Sequence, residues 1–204
     1  MDLEKQHYFI RKLHSLSGVL PIGLFLTEHL LVNSLSIRGP EAYNKGVAVL
    51  QSIPFLPFVE LTLIVIPILF HTLYGLWVVY LAKNNVLAYS YYRNWLFYLQ
   101  RITAIITLIY VAYHSYHLRI ANALFGLEIS FNTMTSVLSN PAMLIFYIIG
   151  LLASVYHFAN GFSTFLITWG VTVGAFSQRV ALIISGLLFF SLSFIGIQAL
   201  FAFI

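Results

Sequence analysis

Five long apolar stretches constrain the fold of this chain more than any other feature. A bilayer core is about 30 Å thick and needs about 20 apolar residues per helix. The stretches predict transmembrane helices at 13–35, 57–82, 98–122, 141–169 and 178–203. Because 60% of the 204 residues are hydrophobic and only 8% are charged, the composition is not that of a soluble domain. We therefore predict an all-α membrane protein in which residues 1–204 form one five-helix bundle.

The positive residues beside these stretches predict the orientation of the chain, because lysine and arginine collect on the cytoplasmic side. One side has Lys5, Arg11, Lys12, Lys83, Arg93, Arg101 and Arg179, and the other has Arg38, Lys45 and Arg119. We expect a cytoplasmic N-terminus, an external C-terminus and a multi-pass position in the cell membrane. The first stretch lacks a cleavage site of small residues, so it is expected to be retained and not removed as a signal peptide.

Composition also excludes some kinds of site. The chain has no cysteine, so disulfides, thiolate metal sites and iron–sulfur ligation are excluded within it. Any redox centre made by this chain must use histidine. Its basic residues are scattered at helix ends and do not predict nucleic-acid binding.

Four histidines recur at a nearly constant interval. His29, His71, His114 and His157 are separated by 42, 43 and 43 residues, so each of the first four predicted helices carries one and the fifth carries none. Ionisable groups inside a membrane are costly, face the bundle interior and mark ligand sites or proton paths. A single one is as readily a hydrogen-bonded core residue, but four at recurring positions favour a shared function.

Depth sorts these histidines into two pairs. Counted from the predicted helix ends at 1.5 Å per residue, His29 and His114 are expected about 10 Å nearer the external face than His71 and His157. We therefore predict that His29 faces His114 and that His71 faces His157.

Two imidazoles per site favour haem over zinc. Zinc sites use three or four protein ligands, and Glu28, the nearest carboxylate, points about 100° away from His29 on a helix. Six-coordinate haem needs only two protein ligands, because the porphyrin supplies four nitrogens. The sequence contains no Cys-x-x-Cys-His segment, so we predict two non-covalent b haems stacked across the membrane.

Glycines accompany the predicted ligands. Gly75 and Gly161 follow His71 and His157 by four residues, which places each glycine one turn away on the same helix face. A glycine there lets a flat ring approach the backbone, although close helix packing is an alternative reason for it. Gly18 lies about three turns before His29, on nearly the same face of the first helix.

Three further histidines have less defined roles. His117 lies one turn after His114 and could replace it as a ligand, although it is close to Arg119 near the membrane interface. His14, at the inner mouth of the first helix, is a candidate contact for a propionate, a quinone or a partner subunit, or an interfacial anchor. His7 is expected to contact solvent or lipid headgroups.

Three stretches carry a family resemblance: "RKLHSLSGVLPIGLFLTEHLLVN", "YSYYRNWLFYLQRITAIITLIYVAYH" and "SVYHFANGFSTFLITWGVTV". With five helices and four histidines, the chain closely resembles the di-haem cytochrome b membrane anchor of succinate:quinone oxidoreductases, in the single-polypeptide form of Gram-positive bacteria. The resemblance covers essentially the whole chain. It implies a transmembrane cytochrome b domain over residues 1–204, bound to a flavoprotein that oxidises succinate and to an iron–sulfur subunit.

The resemblance also implies an electron path. Electrons would pass from the iron–sulfur subunit to the inner haem, to the outer haem and then to menaquinone. The family's four axial ligands match His29, His71, His114 and His157. Fumarate reductases of this class can carry a glutamate two residues before the last ligand, where this chain has Val155. That departure favours succinate oxidation, with fumarate reduction as the alternative within the class.

The expected positions of polar residues in the membrane suggest contacts with the quinone, the haem propionates and a partner subunit. Polar residues expected near the outer face could bind the quinone, namely Asn33, Arg38, Gln51 and Glu60, and each is equally consistent with interfacial anchoring. Candidate propionate partners are Arg101, Arg38, Arg119 and Tyr74. The inner loop 89–95 and the N-terminal segment are the candidate docking surface for the iron–sulfur subunit.

Two haem-free functions are the alternatives from other classes. A histidine-lined transporter would be colourless and would need acidic residues inside the bundle, and the near absence of buried carboxylates argues against it. A purely structural anchor could keep the histidine pattern without a cofactor. An optical spectrum separates both from a cytochrome.

Overall fold

The computed structural model of the protein describes residues 3–204, with side chains from His7 onward. This part of the chain forms helices and short connections and no strand. Five helices are long and apolar enough to cross a membrane, which confirms the predicted all-α membrane fold. They are His7–Arg38, Leu56–Leu81, Tyr92–Phe125, Pro141–Thr168 and Ala175–Phe201. Lys5, one of the charges used to predict the orientation, lies outside the described side chains.

We number the helices in chain order. The first span consists of α1 (Leu3–Val19) and α2 (Pro21–Asn33), and the other elements are α3 (Pro40–Gln51), α4 (Leu56–Leu81), α5 (Tyr92–Phe125), α6 (Phe131–Leu138), α7 (Pro141–Thr168) and α8 (Ala175–Phe201). The end of the bundle with the connections 82–91 and 169–174 is called the inner end, following the predicted orientation. The opposite end is the outer end.

The first span is interrupted at Leu20. Pro21 has no amide hydrogen, so the Ser17 carbonyl lacks its donor one turn on, and α1 ends before α2 begins. After α2 the chain tightens into a 3-10 turn and leaves the span at Gly39, whose φ of 94° favours glycine. The first span therefore consists of two consecutive helices that meet at Leu20.

The third span begins earlier than predicted. The helix α5 starts at Tyr92 and continues to Phe125, and so extends beyond the predicted stretch 98–122 at both ends. Its first turns mix polar and aromatic residues, which a hydropathy pattern does not separate from a loop. Asn94 in this extra segment donates to the Tyr89 carbonyl at 2.8 Å and to Asn85 Oδ1 at 3.0 Å. The early start therefore ties the inner loop to the bundle.

Two short helices that the sequence did not predict cover the outer end. The rings of Tyr43 on α3, Phe131 on α6 and Phe203 at the C-terminus pack together, with centroids 4.9 to 6.2 Å apart. Thr135 Oγ1 donates to the Phe203 carbonyl at 2.7 Å. Burial raises the pKa of Tyr43 to about 12, since the charged phenolate would lose its hydration. We call α3 and α6 the outer cap.

The fourth span is the centre of the bundle. α7 packs along both α5 and α8, and its Tyr147 and Val155 are almost completely buried. Glycines allow the close approach: the Tyr110 ring of α5 lies over Gly150 of α7, and Leu151 of α7 lies over Gly196 of α8. These contacts fix the relative positions of three of the five spans.

The second span is the least enclosed part of the bundle. No residue of α4 is fully buried. It packs mainly against α1 and scarcely touches α5. Both α4 and α5 contain one π-helical segment, Leu61–Val65 and Tyr116–Ile120, and such segments are frequent at functional sites. The protein side chains alone therefore leave α4 loosely attached.

Candidate functional site: two pairs of facing histidines

The structure brings His29 of α2 and His114 of α5 together in the outer half of the bundle. Their ring centroids are 5.7 Å apart and their planes are inclined by 84°. The Phe25 ring lies 5.4 Å from that of His29, while Tyr110 and Tyr147 lie 5.5 Å and 5.7 Å from His114. His114 Nδ1 is buried and has no hydrogen-bond partner among the described residues. Aromatic side chains therefore pack against both histidines of the outer pair.

The inner half of the bundle holds His71 of α4 and His157 of α7. Their ring centroids are 6.1 Å apart and their planes are inclined by 89°. His71 Nδ1 lies 3.0 Å from the carbonyl oxygen of His14, and His157 Nδ1 lies 3.1 Å from the carbonyl oxygen of Gln100. A neutral imidazole that donates from Nδ1 keeps its lone pair on Nε2. Each inner histidine is therefore prepared to bind an electrophile through Nε2.

A third imidazole lies against the inner pair. The His14 ring stacks on His71 with a centroid distance of 4.1 Å and an interplanar angle of 11°. Glycines provide the space: a Cβ on Gly18 would come 2.5 Å from His71 Cε1, and one on Gly75 would come 3.2 Å from His14 Nε2. Ser17 Oγ lies 3.3 Å from His71 Nδ1. The His71 ring is thus confined on several sides.

Gln100 has the corresponding position beside His157. Its carbonyl accepts from His157, and its Nε2 donates back to the His157 carbonyl at 2.9 Å. Its Oε1 accepts from Asn160 Nδ2 at 2.7 Å. A Cβ on Gly161 would lie 3.4 Å from Gln100 Nε2, an ordinary contact. Both ends of the Gln100 amide are therefore satisfied.

The two pairs are further apart than predicted. Gln100 is level with the inner pair, and His114 of the outer pair lies 14 residues further along the same helix. At 1.5 Å per residue this is about 21 Å along α5. This spacing along α5 is about twice the predicted depth difference of about 10 Å.

With this geometry in place, similarity to known proteins decides the family. A family model for the succinate dehydrogenase/fumarate reductase transmembrane subunit matches residues 81–195. The chain is also 46% identical over 199 residues to the succinate dehydrogenase cytochrome b558 subunit of Bacillus subtilis (strain 168), and the match covers 98% of each chain. The chain belongs to this family. It is a multi-pass membrane anchor of a succinate dehydrogenase complex, as the sequence predicted.

His117 of the anchor is not part of the outer pair. Its ring stacks on Tyr113 with centroids 3.9 Å apart, and its Nδ1 lies 3.1 Å from the Tyr113 carbonyl oxygen. The side chain is exposed. In this structure it therefore does not take the place of His114.

The four quinone candidates of the anchor differ in the contacts that their side chains make. Asn33 Nδ2 donates to the His29 carbonyl at 2.8 Å, so its amide is engaged by the helix backbone. Arg38 and Gln51 are exposed, and no side-chain hydrogen bond to them occurs within the described residues. Glu60 is the exception, because it forms an ion pair with Arg119. Among the described residues, Glu60 is therefore the candidate that forms an ion pair with another helix.

The propionate candidates are also dispersed. Arg101 is buried, donates to Asn84 Oδ1 and lies 3.6 Å over the Phe97 ring. These contacts hold it against the inner loop. The Tyr74 ring lies 5.4 Å from that of His14, beside the inner pair. Tyr74 thus lies next to a ring that stacks on the inner pair.

Sequence reasoning missed Gln100 and left His14 without a defined role. Both act through main-chain carbonyls, which any residue type supplies, so residue identity gave no direct signal. Two indirect signals were present. His14 and Gln100 each precede an inner histidine by 57 residues, and His14 is followed by Gly18 in the spacing that His71 and His157 also show.

Proposed function

We propose that the anchor holds two b haems, one between His29 and His114 and one between His71 and His157. Through them it would carry electrons from the iron–sulfur subunit to menaquinone. Residues 1–204 form one transmembrane cytochrome b domain in this proposal, with the N-terminus cytoplasmic. The observation that carries it is the arrangement of four imidazoles as two facing pairs.

The distances within the pairs support bis-histidine ligation. A metal–imidazole bond is about 2 Å long, so two such bonds on opposite sides of one ion hold the ring centroids about 6 Å apart. The observed values are 5.7 Å and 6.1 Å. Within the described residues, no group of three or more His, Cys, Asp or Glu side chains could hold a metal ion. The donor set therefore suits a cofactor that brings its remaining ligands with it.

The hydrogen bonds of the inner pair support the same role. A metal-bound imidazole characteristically donates its other N–H to a carbonyl, carboxylate or water, which orients the ring and makes the ligand more basic. His71 and His157 both contact main-chain carbonyls through Nδ1. The B. subtilis relative is itself named a cytochrome.

The anchor's residues position and insulate the electron path. When bound, the haems supply reversible one-electron iron chemistry, and with both axial positions taken they carry electrons without binding oxygen. The four histidines hold these sites at two levels of the bundle. The rings of Tyr110 and Tyr147 pack against His114 of the outer pair. Because Gly18 has no side chain, the His71 ring can lie close to the backbone of the first span.

Menaquinone would react at the outer end. Quinone reduction consumes two protons, so the site needs polar groups that open toward the external face. Glu60 and Arg119 provide such groups close to the outer pair, with His114 five residues before Arg119 on α5. Asn33, Arg38 and Gln51 remain candidates with less support, because among the described residues no hydrogen bond links any of them to Glu60.

The flavoprotein and iron–sulfur subunits would dock at the inner end. The Asn94 side chain donates a hydrogen bond to the Tyr89 carbonyl in the inner loop, and Val86 of the same loop is buried. Leu87 beside it is 94% exposed, and Tyr89 and Tyr91 are exposed as well. A fixed loop that presents apolar and aromatic side chains suits a partner protein.

Succinate oxidation is the favoured direction. Val155 is 0% exposed within the α7 core, and a charged carboxylate at such a position would be strongly disfavoured. The proton path that a glutamate provides in some fumarate reductases therefore has no counterpart at this position.

A reduced-minus-oxidised spectrum of the purified complex tests the proposed function. We expect b-type bands, with a haem assay giving two haems per anchor chain. A complex with active flavoprotein but a colourless anchor would overturn the proposal and favour the purely structural alternative. His117→Leu is the matched control and should keep both haems.

A further inference from the structure

The inner site is built twice from the same unit. In α1 and α4, His71 Nδ1 contacts the carbonyl oxygen of His14; in α5 and α7, His157 Nδ1 contacts that of Gln100. Each acceptor precedes its histidine by 57 residues, and each inner histidine is followed four residues later by a glycine. His14 and Gln100 are therefore equivalent positions in two related halves.

The side chains at these equivalent positions behave differently. The Gln100 amide donates to the His157 carbonyl and accepts from Asn160, so both of its hydrogen-bond partners lie on α7. The His14 ring instead lies flat on the ligand imidazole of its half, 4.1 Å from the centroid of His71 and only 11° from parallel. Its Nε2 is buried without a hydrogen-bond partner in the described part of the chain. The contact that distinguishes His14 from Gln100 is therefore the stacking of its ring face on the His71 ring.

The surrounding backbone keeps the two rings stacked. Gly18 lies against the edge of His71, and Gly75 lies against His14 Nε2. Because the His14 ring lies flat on the His71 ring, rotation of His71 about its Cβ–Cγ bond would drive its ring into His14. The stack therefore restricts the plane of His71, which lies at 89° to that of His157.

We propose that His14 is a positioning residue for His71, acting through its ring face to hold the His71 plane perpendicular to His157. The proposal rests on the proposed function, since it assigns a role toward the inner haem. The plane of an axial imidazole fixes how its π orbital meets the iron d orbitals. In low-spin ferric haem, perpendicular axial planes give a larger maximum g value than parallel planes do.

Electron paramagnetic resonance of the oxidised complex tests this role. His14→Gln installs the residue of the other half and removes the ring; we expect the maximum g value of the inner haem to fall, with the outer-haem signal unchanged. His14→Phe keeps a flat ring without nitrogens, and we expect it to retain the wild-type inner signal. His117→Gln is the matched control and should alter neither signal.

Two outcomes would overturn the proposal. One is an inner-haem signal in His14→Gln identical to the wild type. The other is an equal shift in His14→Phe and His14→Gln, which would assign the role to the ring nitrogens. The outer-haem signal of the same sample reports that the variant has folded. Absence of both haems from the wild-type complex would refute the proposed function instead, so the two failures are distinguishable.

Discussion

Glu60 of α4 and Arg119 of α5 form a two-pronged ion pair at the outer end of the bundle. Arg119 Nε donates to Glu60 Oε1 at 2.8 Å, and Nη2 donates to Oε2 at 2.6 Å. Asn122 Oδ1 accepts a further bond from the same guanidinium at 3.0 Å. Since α4 otherwise scarcely touches α5, this pair is their principal direct link, and each partner lies next to or within a π-helical segment.

Glu60→Gln should weaken this link and slow menaquinone reduction. The pair is partly exposed, so the loss in the free energy of unfolding should be about 1 kcal/mol. Thermal melting of the purified complex measures the first effect, and succinate:menaquinone turnover measures the second. Glu41→Gln on the outer cap is the control. In a cycle with Arg119→Gln, fully additive losses would show that the pair contributes no coupling.

Single histidine replacements should remove the haems selectively. His71→Leu or His157→Leu should lose mainly the inner haem, and His29→Leu or His114→Leu the outer one, with about half of the b-type absorbance left in each case. Spectra and redox titration identify the haem that remains. If every replacement removed both haems while the chain stayed folded, the pairing would be wrong.

Gly18→Ala should disturb the inner site alone. The added Cβ would meet the His71 ring at 2.5 Å, and overpacking of this kind costs about 1–3 kcal/mol. We expect a lower inner-haem content or an altered inner-haem signal. Gly186→Ala is the control because nothing lies within 4 Å of its added Cβ. Equal behaviour of the two variants would contradict the close approach at Gly18.

The outer cap should loosen at high pH. Tyr43 in an unfolded chain loses its proton near pH 10, whereas in the fold its pKa is about 12. Between these values the unfolded state binds fewer protons, so the stability of the cap falls as pH rises from 10 to 12, by about 2–3 kcal/mol. Hydrogen exchange of the α3 amides measures this opening. Tyr43→Phe should remove the pH dependence, and persistence of the same slope would assign it to another group.

The sequence predicted the five spans because apolar length alone specifies them, whatever their packing. It did not predict where α5 begins, since Tyr92 and Asn94 are compatible with both a helix and a headgroup loop. The outer cap was missed because its stability comes from contacts of Tyr43 with Phe131 and Phe203, which are distant in sequence.

Part of the candidate site could be predicted from the sequence. The spacing of the histidines predicted which rings would face each other, and the structure brings those rings together. The stack of His14 on His71 depends on two glycines from different helices, Gly18 and Gly75, and on a main-chain carbonyl. Neither contact has a compositional signature, so only the three-dimensional arrangement reveals them.

The exposed character of α4 has a consequence for how cells make this protein. A freshly inserted chain would hold its second span along one flank only, with little but lipid on the remaining sides. Binding of the proposed inner haem between His71 and His157 would attach α4 to α7 and stabilise its position.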